Sequence, residues 1–252
     1  MSTGSENGSD FRLYKGGDPR YLPAYPVELA AHLLLLPKST LKAWVFGATW
    51  KPKGMPLRFF EPVIDPPDRS EQMLSFVNLV EAHVLKAVRR KHLVHMIKVR
   101  DAIEHLKDEF ATQHPLADVD LLAGGKDLFL QEHGQLLNLT MGKQIAMEFL
   151  TVYLNRIDRD LGRAVKLYPF VVQPLRIGNE VIDQDSRVIA IDPYVSYGRP
   201  VINGTGIPTD EIAERFWGGD SIDELVEAFG RTKTEIEFAL RYEKAQVSQT
   251  AA

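Results

Sequence analysis

The sequence predicts an α+β chain that is mainly α: an N-terminal winged helix-turn-helix, a central small sheet with a long helix, and a C-terminal three-helix unit that is helix-turn-helix-like. Three observations carry that expectation. Helical apolar periodicity runs through residues 26–46, 75–91 and 96–112. Short β-rich runs such as LRFF, AVKLYPFVV and RVIAID punctuate the helices. Helix-start signals then divide residues 209–245 into three short helices.

The elements follow in order. Residues 1–18 open with MSTGSENGSD and read as a disordered tail. Residues 26–46, PVELAAHLLLLPKSTLKAWVF, read as two helices joined by a tight turn. Val27, Ala30, Ala31 and Leu34 make one apolar stripe, and Leu41, Trp44 and Val45 make the other. Pro37 suits the first turn of the second helix, where its missing N–H is not needed. Leu35 stands where such a turn usually has glycine. LRFFEPVIDPP followed by MLSF reads as two strands around a Pro/Asp loop, the expected wing. Residues 75–91 form an amphipathic helix with Phe76, Leu79, Val80, Val84 and Val88 inward and Arg89, Arg90 and Lys91 at its C-terminal end. The next helix, 96–112, buries Val99, Ile103, Leu106 and Phe110, closing a DNA-binding domain over 19–113.

A central region over 114–190 is expected to hold a hairpin at DVDLLAGGKDLFLQ, a long helix over 141–162 and two strands. The long helix has apolar residues on two sides: Leu150, Leu154, Ile157 and Leu161, then Ile145, Phe149 and Tyr153. The last unit spans 191–245, with a tail over 246–252. Thr209 is the expected cap of its first helix. Ser221 with Glu224 and Thr232 with Glu235 match the capping box S/T-x-x-E.

Composition narrows the function classes. The chain has 252 residues, 44% apolar and 25% charged, ordinary for a globular protein. It has no cysteine, hence no disulfide framework, thiolate zinc site or cysteine nucleophile. No run of about 18 apolar residues occurs, so no membrane span is expected. The N-terminus is unlike a signal peptide, and the expected location is cytoplasmic. Net charge is −4, but it is unevenly spread. Residues 38–60 carry Lys38, Lys42, Lys51, Lys53 and Arg58 and no acid, whereas residues 209–245 carry ten acids against five bases.

The stretch INGTGIPTDEIAERF, residues 202–216, resembles the strand–glycine–helix layout that cradles phosphates. It lacks the lysine of a P-loop and the third glycine of a dinucleotide site. Asp210, Glu211 and Glu214 follow and would repel an anion. It reads as a folding turn before a capped helix. Of the seven histidines, His92 and His95 could share a helix face, but with no nearby carboxylate triad. Asp118/Asp120 and Asp183/Asp185 read as loop starts, and no G-x-S-x-G occurs. No catalytic residue, no cofactor and no metal are expected.

DPYVSYGRPVINGTGIPTDEIAERFWGGDSIDELVEAFGRTKTEIEFALRYE resembles domain-of-unknown-function family 433. The residues carrying this are Gly198, Pro200 to Ile202, Gly204, Thr205, Ile207, Thr209, Gly219, Ser221, Glu224, Leu225 and Ala239 to Tyr242; Gly206 departs from the family's usual arginine. The N-terminal part, through YPVELAA and TLKAWV, is similar to winged helices of the MerR type. Together they resemble VapB-type antitoxins of toxin–antitoxin operons. That resemblance implies a non-enzymatic repressor, a likeness to proteins that bind their own operator DNA and neutralise a PIN-like ribonuclease toxin. A homodimer on a near-palindromic operator is the expected assembly.

Residues 221–242 also fit a helix-turn-helix, with Leu225, Phe229, Ile236 and Ala239 inward about Gly230. Its second helix carries Glu235, Glu237 and Glu243, however, and phosphate contact depends on lysine and arginine. DNA binding is therefore assigned to Lys38, Ser39, Thr40 and Lys42 at the recognition helix, Lys51, Lys53 and Arg58 on the wing, and Arg89, Arg90 and Lys91 at flanking phosphates. Trp217, Glu235, Glu237, Arg241 and Tyr242 are the expected partner-binding or dimerisation residues. The alternative is a ligand-responsive MerR-like regulator with an effector pocket in 115–190 and no toxin; a remoter one is a hydrolase built on the acidic pairs.

Overall fold

β1 (Tyr25–Pro26) runs directly into α1 (Val27–Leu33), and α2 (Lys38–Phe46) packs back on it. The computed structural model describes residues 16–51, 54, 57–89, 96–118, 150–170, 175–177, 180–182 and 187–250. Val27, Ala30 and Ala31 of α1 meet Leu41, Trp44 and Val45 of α2 in the core, as their spacing predicts. The turn between them puts Leu35 at φ 50°, the left-handed region a glycine would occupy without strain. That conformation costs a leucine roughly 1–2 kcal/mol. It is held because Leu34 and Leu36 on either side are buried, and the Leu36 N–H donates to the Ala31 carbonyl at 2.8 Å.

The expected wing pairing does not form. β3 (Arg58–Phe60) pairs antiparallel with the preceding β2 (Ala48–Trp50), while β4 (Met73–Leu74) pairs with β1. The intervening EPVIDPP carries three prolines that cannot donate to a ladder. It is also pinned: the Val63 and Ile64 N–H groups donate to the Trp44 carbonyl, and Ile64 is buried.

α3 (Phe76–Arg89) is the most buried helix of the described chain and carries polar residues inside. Its start is a reciprocal cap: the Ser75 hydroxyl accepts from the Asn78 N–H, and the Asn78 side-chain oxygen accepts from the Ser75 N–H. Asn78 then donates to Glu81 at 3.0 Å, and Glu81 lies 3.3 Å from His114 Nδ1. Burial lowers the His114 pKa, but Glu81 outweighs it and the net direction is up. His83 is fully enclosed, 3.0 Å from the Tyr153 carbonyl and stacked on Phe170; burial pushes its pKa down to about 3. α4 (Met96–Phe110) buries Val99, Ile103 and Leu106, but Phe110 is exposed. α5 (Pro115–Asp118) brings Asp118 to the Tyr21 and Thr112 hydroxyls, which both donate to it.

The helix expected over 141–162 ends early. Residues 150–154 are helical, with Leu150, Tyr153 and Leu154 buried, and then β5 (Ile157–Asp160) begins. Leu161 and Gly162, at φ 48° and 83°, form a tight turn into β6 (Arg163–Leu167), which leaves Leu161 exposed. Two consecutive left-handed residues fit the twist of a hairpin, and Gly162 was its signal. Residues 141–149 and most of the hairpin expected over 115–140 lie outside the described residues. β7 (Leu175–Ile177) and β8 (Glu180–Ile182) form a separate hairpin.

β9 (Ile189–Ile191) and β10 (Pro200–Ile202) join β5 and β6 in an antiparallel sheet of order β10-β9-β6-β5. The boundary expected at 190/191 thus falls inside a strand of a shared sheet. α6 (Thr209–Trp217), α7 (Ile222–Phe229) and α8 (Lys233–Thr250) follow. Ser221–Glu224 and Thr232–Glu235 both make the reciprocal bonds of a capping box. Thr209 does not cap α6. Pro208 occupies the cap position, and the Thr209 hydroxyl turns inward to donate to Glu243 at 2.5 Å. The buried residues form one core from Tyr25 to Tyr242. No helix of the described residues is long and apolar enough to cross a membrane.

Candidate nucleic-acid interface and partner groove

The first turn of α2 sets Lys38 and Lys42 four residues apart, on one helix face. Lys38 and Ser39 are exposed, and Thr40 and Lys42 half-buried. An acid that sequence reading passed over stands against this face. Glu28 of α1 lies 2.5 Å from Lys38 Nζ and 3.7 Å from Lys42 Nζ. Lys38 foremost holds the Glu28 carboxyl below its usual pKa. The helix pair therefore presents two cations around one carboxylate. The signal was available: Glu28 follows Pro26–Val27 at the start of α1, the helix that α2 packs against.

The β2–β3 hairpin carries the next cation along, Lys51, which is exposed. Arg58 begins β3 opposite Trp50, and Arg89 ends α3. Lys53, Arg90 and Lys91 lie outside the described residues. Arg100, unmarked by sequence reading, donates from α4 to the Glu61 carbonyl just past the hairpin and lies 5.3 Å from the Phe60 ring.

The predicted partner residues separate into two groups. Trp217, Glu237 and Arg241 line an open groove of about 310 Å³ together with Phe216, Ile222, Leu240 and Lys244. Trp217 is 59% exposed there, a large apolar side chain left in water. Glu237 and Arg241 pair along α8 at 3.3 Å. Glu235 and Tyr242 are taken by the chain itself. Arg231, at 2.7 Å, holds the Glu235 pKa down at about 2 while Glu235 closes the α8 cap. Tyr242 is fully buried and its hydroxyl is 3.4 Å from the Leu33 carbonyl of α1. Neither presents a free surface to a second molecule. Tyr242 stands three residues after Ala239 and continues the buried stripe of Ile236 and Ala239, whereas the helix it buries against comes from the other end of the sequence.

The glycine turn of INGTGIPT closes on itself. The Thr205 hydroxyl donates to the Ile202 carbonyl at 2.7 Å and accepts from the Ile207 N–H at 3.1 Å. The Asn203 N–H donates to Val188 and the Ile202 N–H to Ile207. These amides are spent within the fold. Arg199 binds Asp210 and Glu211, tying the turn to α6.

Residues 189–242 match the family model described as "Protein of unknown function (DUF433)", which begins at β9 and ends at Tyr242. The chain is 26% identical over 238 residues to "Putative antitoxin VapB45" of Mycobacterium tuberculosis, covering 87% of this chain and 93% of that protein. It is 26% identical over 220 residues to "Uncharacterized protein Rv2308" of the same organism, covering 84% and 86%. The crystal structure of Rv2018 from Mycobacterium tuberculosis shares the fold over 87% of this chain and 98% of that one, with a TM-score of 0.62 at 23% identity. The chain is thus a mainly α, α+β protein that carries a DUF433 domain at its C-terminal end.

Proposed function

We propose that this protein is an antitoxin-like regulator without enzymatic activity, in which the N-terminal unit binds operator DNA and the C-terminal unit engages a protein toxin of the PIN-like ribonuclease kind. The observation that carries the DNA half is the charge of residues 38–60, five cations and no acid in sequence, of which Lys38 and Lys42 lie on α2 and Lys51 and Arg58 on the hairpin after it. Each cation that neutralises a phosphate releases a counterion, so such a segment gains affinity that falls steeply with salt. The C-terminal unit, with its excess of acids, gains little of this. Its exposed Trp217 beside the Glu237–Arg241 pair suits a protein partner, since aromatic and arginine residues anchor such interfaces. The similarity to a protein named as an antitoxin supports the same reading.

The test has two arms. Gel shift with the DNA upstream of the reading frame, repeated over several salt concentrations, should show binding that weakens as salt rises and weakens further in Lys42→Ala. Binding indifferent to both sinks the DNA half. Co-expression with the product of the neighbouring reading frame should yield a complex that Trp217→Asp breaks. If no complex forms, and a small effector changes DNA binding instead, the protein is a ligand-responsive regulator.

A further inference from the structure

The β2–β3 hairpin turns two large apolar residues, Leu57 and Phe59, away from the core. Thr49 pairs with Phe59 in the middle of the ladder, and Lys51 and Leu57 each stand two residues further toward the tip. On a pleated hairpin these four positions share a face. That face is open to solvent, with Leu57 64% and Phe59 61% exposed. The opposite face carries the packing: Phe60 is half-buried under Arg100. A half-buried hairpin ordinarily turns polar side chains outward. Here a leucine and a phenylalanine, both of which gain by leaving water, are left in it.

Phe59 is also braced. Gly47, at φ 79°, sits beneath its ring, so that a Cβ at position 47 would lie 2.7 Å from Phe59 Cζ. The ring rests on bare backbone at the root of the hairpin.

We infer that this face is an apolar wedge that enters a base step of duplex DNA from the minor groove, with Phe59 and Leu57 as the inserted side chains. The inference rests on the DNA-binding reading above. Charge selects the occupant: residues 38–60 hold five cations and no acid, and DNA offers phosphate rails beside apolar base faces. Lys51, beside Leu57 on the same face, is set to meet a flanking phosphate. Apolar wedges of this kind unstack a step and kink the duplex by about 20–90°.

The test is a circular-permutation gel assay on fragments of the upstream DNA, with wild type, Leu57→Ser/Phe59→Ser and Phe59→Trp. Wild type and Phe59→Trp should bend the fragment by tens of degrees. The double serine variant should bind within about tenfold of wild type and leave the fragment straight. Both substituted residues are exposed, so its melting temperature should match wild type. A straight wild-type complex, or one bent equally by the serine variant, overturns the wedge while leaving the salt- and Lys42-dependent binding intact. No wild-type complex overturns both. Sedimentation that turns a dimer into a monomer in the serine variant would make the face a self-association surface and overturn the wedge.

Discussion

The Tyr25 hydroxyl donates to the Gly198 carbonyl at 2.9 Å, joining two residues 173 positions apart. Gly198 sits at φ 77°, at the end of the short 3-10 turn Ser196–Gly198, between β9 and β10. A Cβ there would lie 2.1 Å from the Tyr25 hydroxyl oxygen. The contact and the Tyr242–Leu33 contact together fasten the C-terminal unit to α1 and β1. The C-terminal groove is therefore tied mechanically to the N-terminal helix pair.

Gly198→Ala should destabilise the chain by about 2–4 kcal/mol, from left-handed strain and from displacement of Tyr25. Tyr25→Phe, which loses only the hydrogen bond, should cost about 1 kcal/mol. Combining Gly198→Ala with Tyr25→Ala removes the clash, so the double variant should lose less than the sum of Gly198→Ala alone and Tyr25→Ala alone. Urea denaturation of wild type, the three single variants and the double measures this.

Glu28→Gln should strengthen DNA binding about three- to tenfold at low salt, because Lys38 and Lys42 are released to meet phosphate. Folding stability should change by less than about 0.5 kcal/mol, since the pairs are exposed. Titration of upstream DNA at two salt concentrations tests it; unchanged affinity would mean these lysines face away from DNA.

His83 makes stability depend on pH. Its pKa falls from 6.5 to about 3 on folding, chiefly by burial, so the unfolded chain binds the extra proton between those values. The neutral ring's contribution is present above 6.5 and is lost as pH falls toward 3, at about 1.4 kcal/mol per pH unit. His114 runs the other way. Its folded pKa is raised, so its contribution is full below 6.5 and is lost as pH rises through the folded value. His83→Gln should lower stability at pH 7 yet flatten the acid slope, read from urea midpoints between about pH 4.5 and 6.5. A variant as acid-sensitive as wild type would assign the slope elsewhere.

Trp217→Asp should leave the melting temperature within about 2 °C of wild type, because the side chain is exposed. It should lower capture of the neighbouring gene product at least about tenfold, the effect of a central aromatic anchor. Calorimetry of the free protein and co-purification of the pair measure the two. Loss of both stability and capture would make Trp217 a folding residue.

The helices of this fold were legible because their signals are local. The apolar stripes of α1 and α2 and both S/T-x-x-E caps are set by neighbours three or four residues away, and each formed where its spacing pointed. Strand pairing was not legible in the same way. LRFF was expected to pair with MLSF across the Pro/Asp loop, but it pairs with Ala48–Trp50, and the prolines and the Trp44 carbonyl hold the loop beyond it. The helix expected over 141–162 ends early for a related reason. Its apolar stripe continued through Ile157 and Leu161, and only the Leu161–Gly162 turn shows that the period had changed to that of a strand.

By itself the sequence determined the fold class, the basic and acidic ends, and that INGTGIPT is a turn rather than a phosphate cradle, because composition and short spacing suffice for each. Only the tertiary structure decided that Glu28 restrains Lys38 and Lys42, that Tyr242 is buried against α1 while Trp217 is outside, and that Phe59 stands in solvent. Those outcomes depend on which distant segments touch, and an amphipathic pattern fixes which face is apolar without saying what covers it.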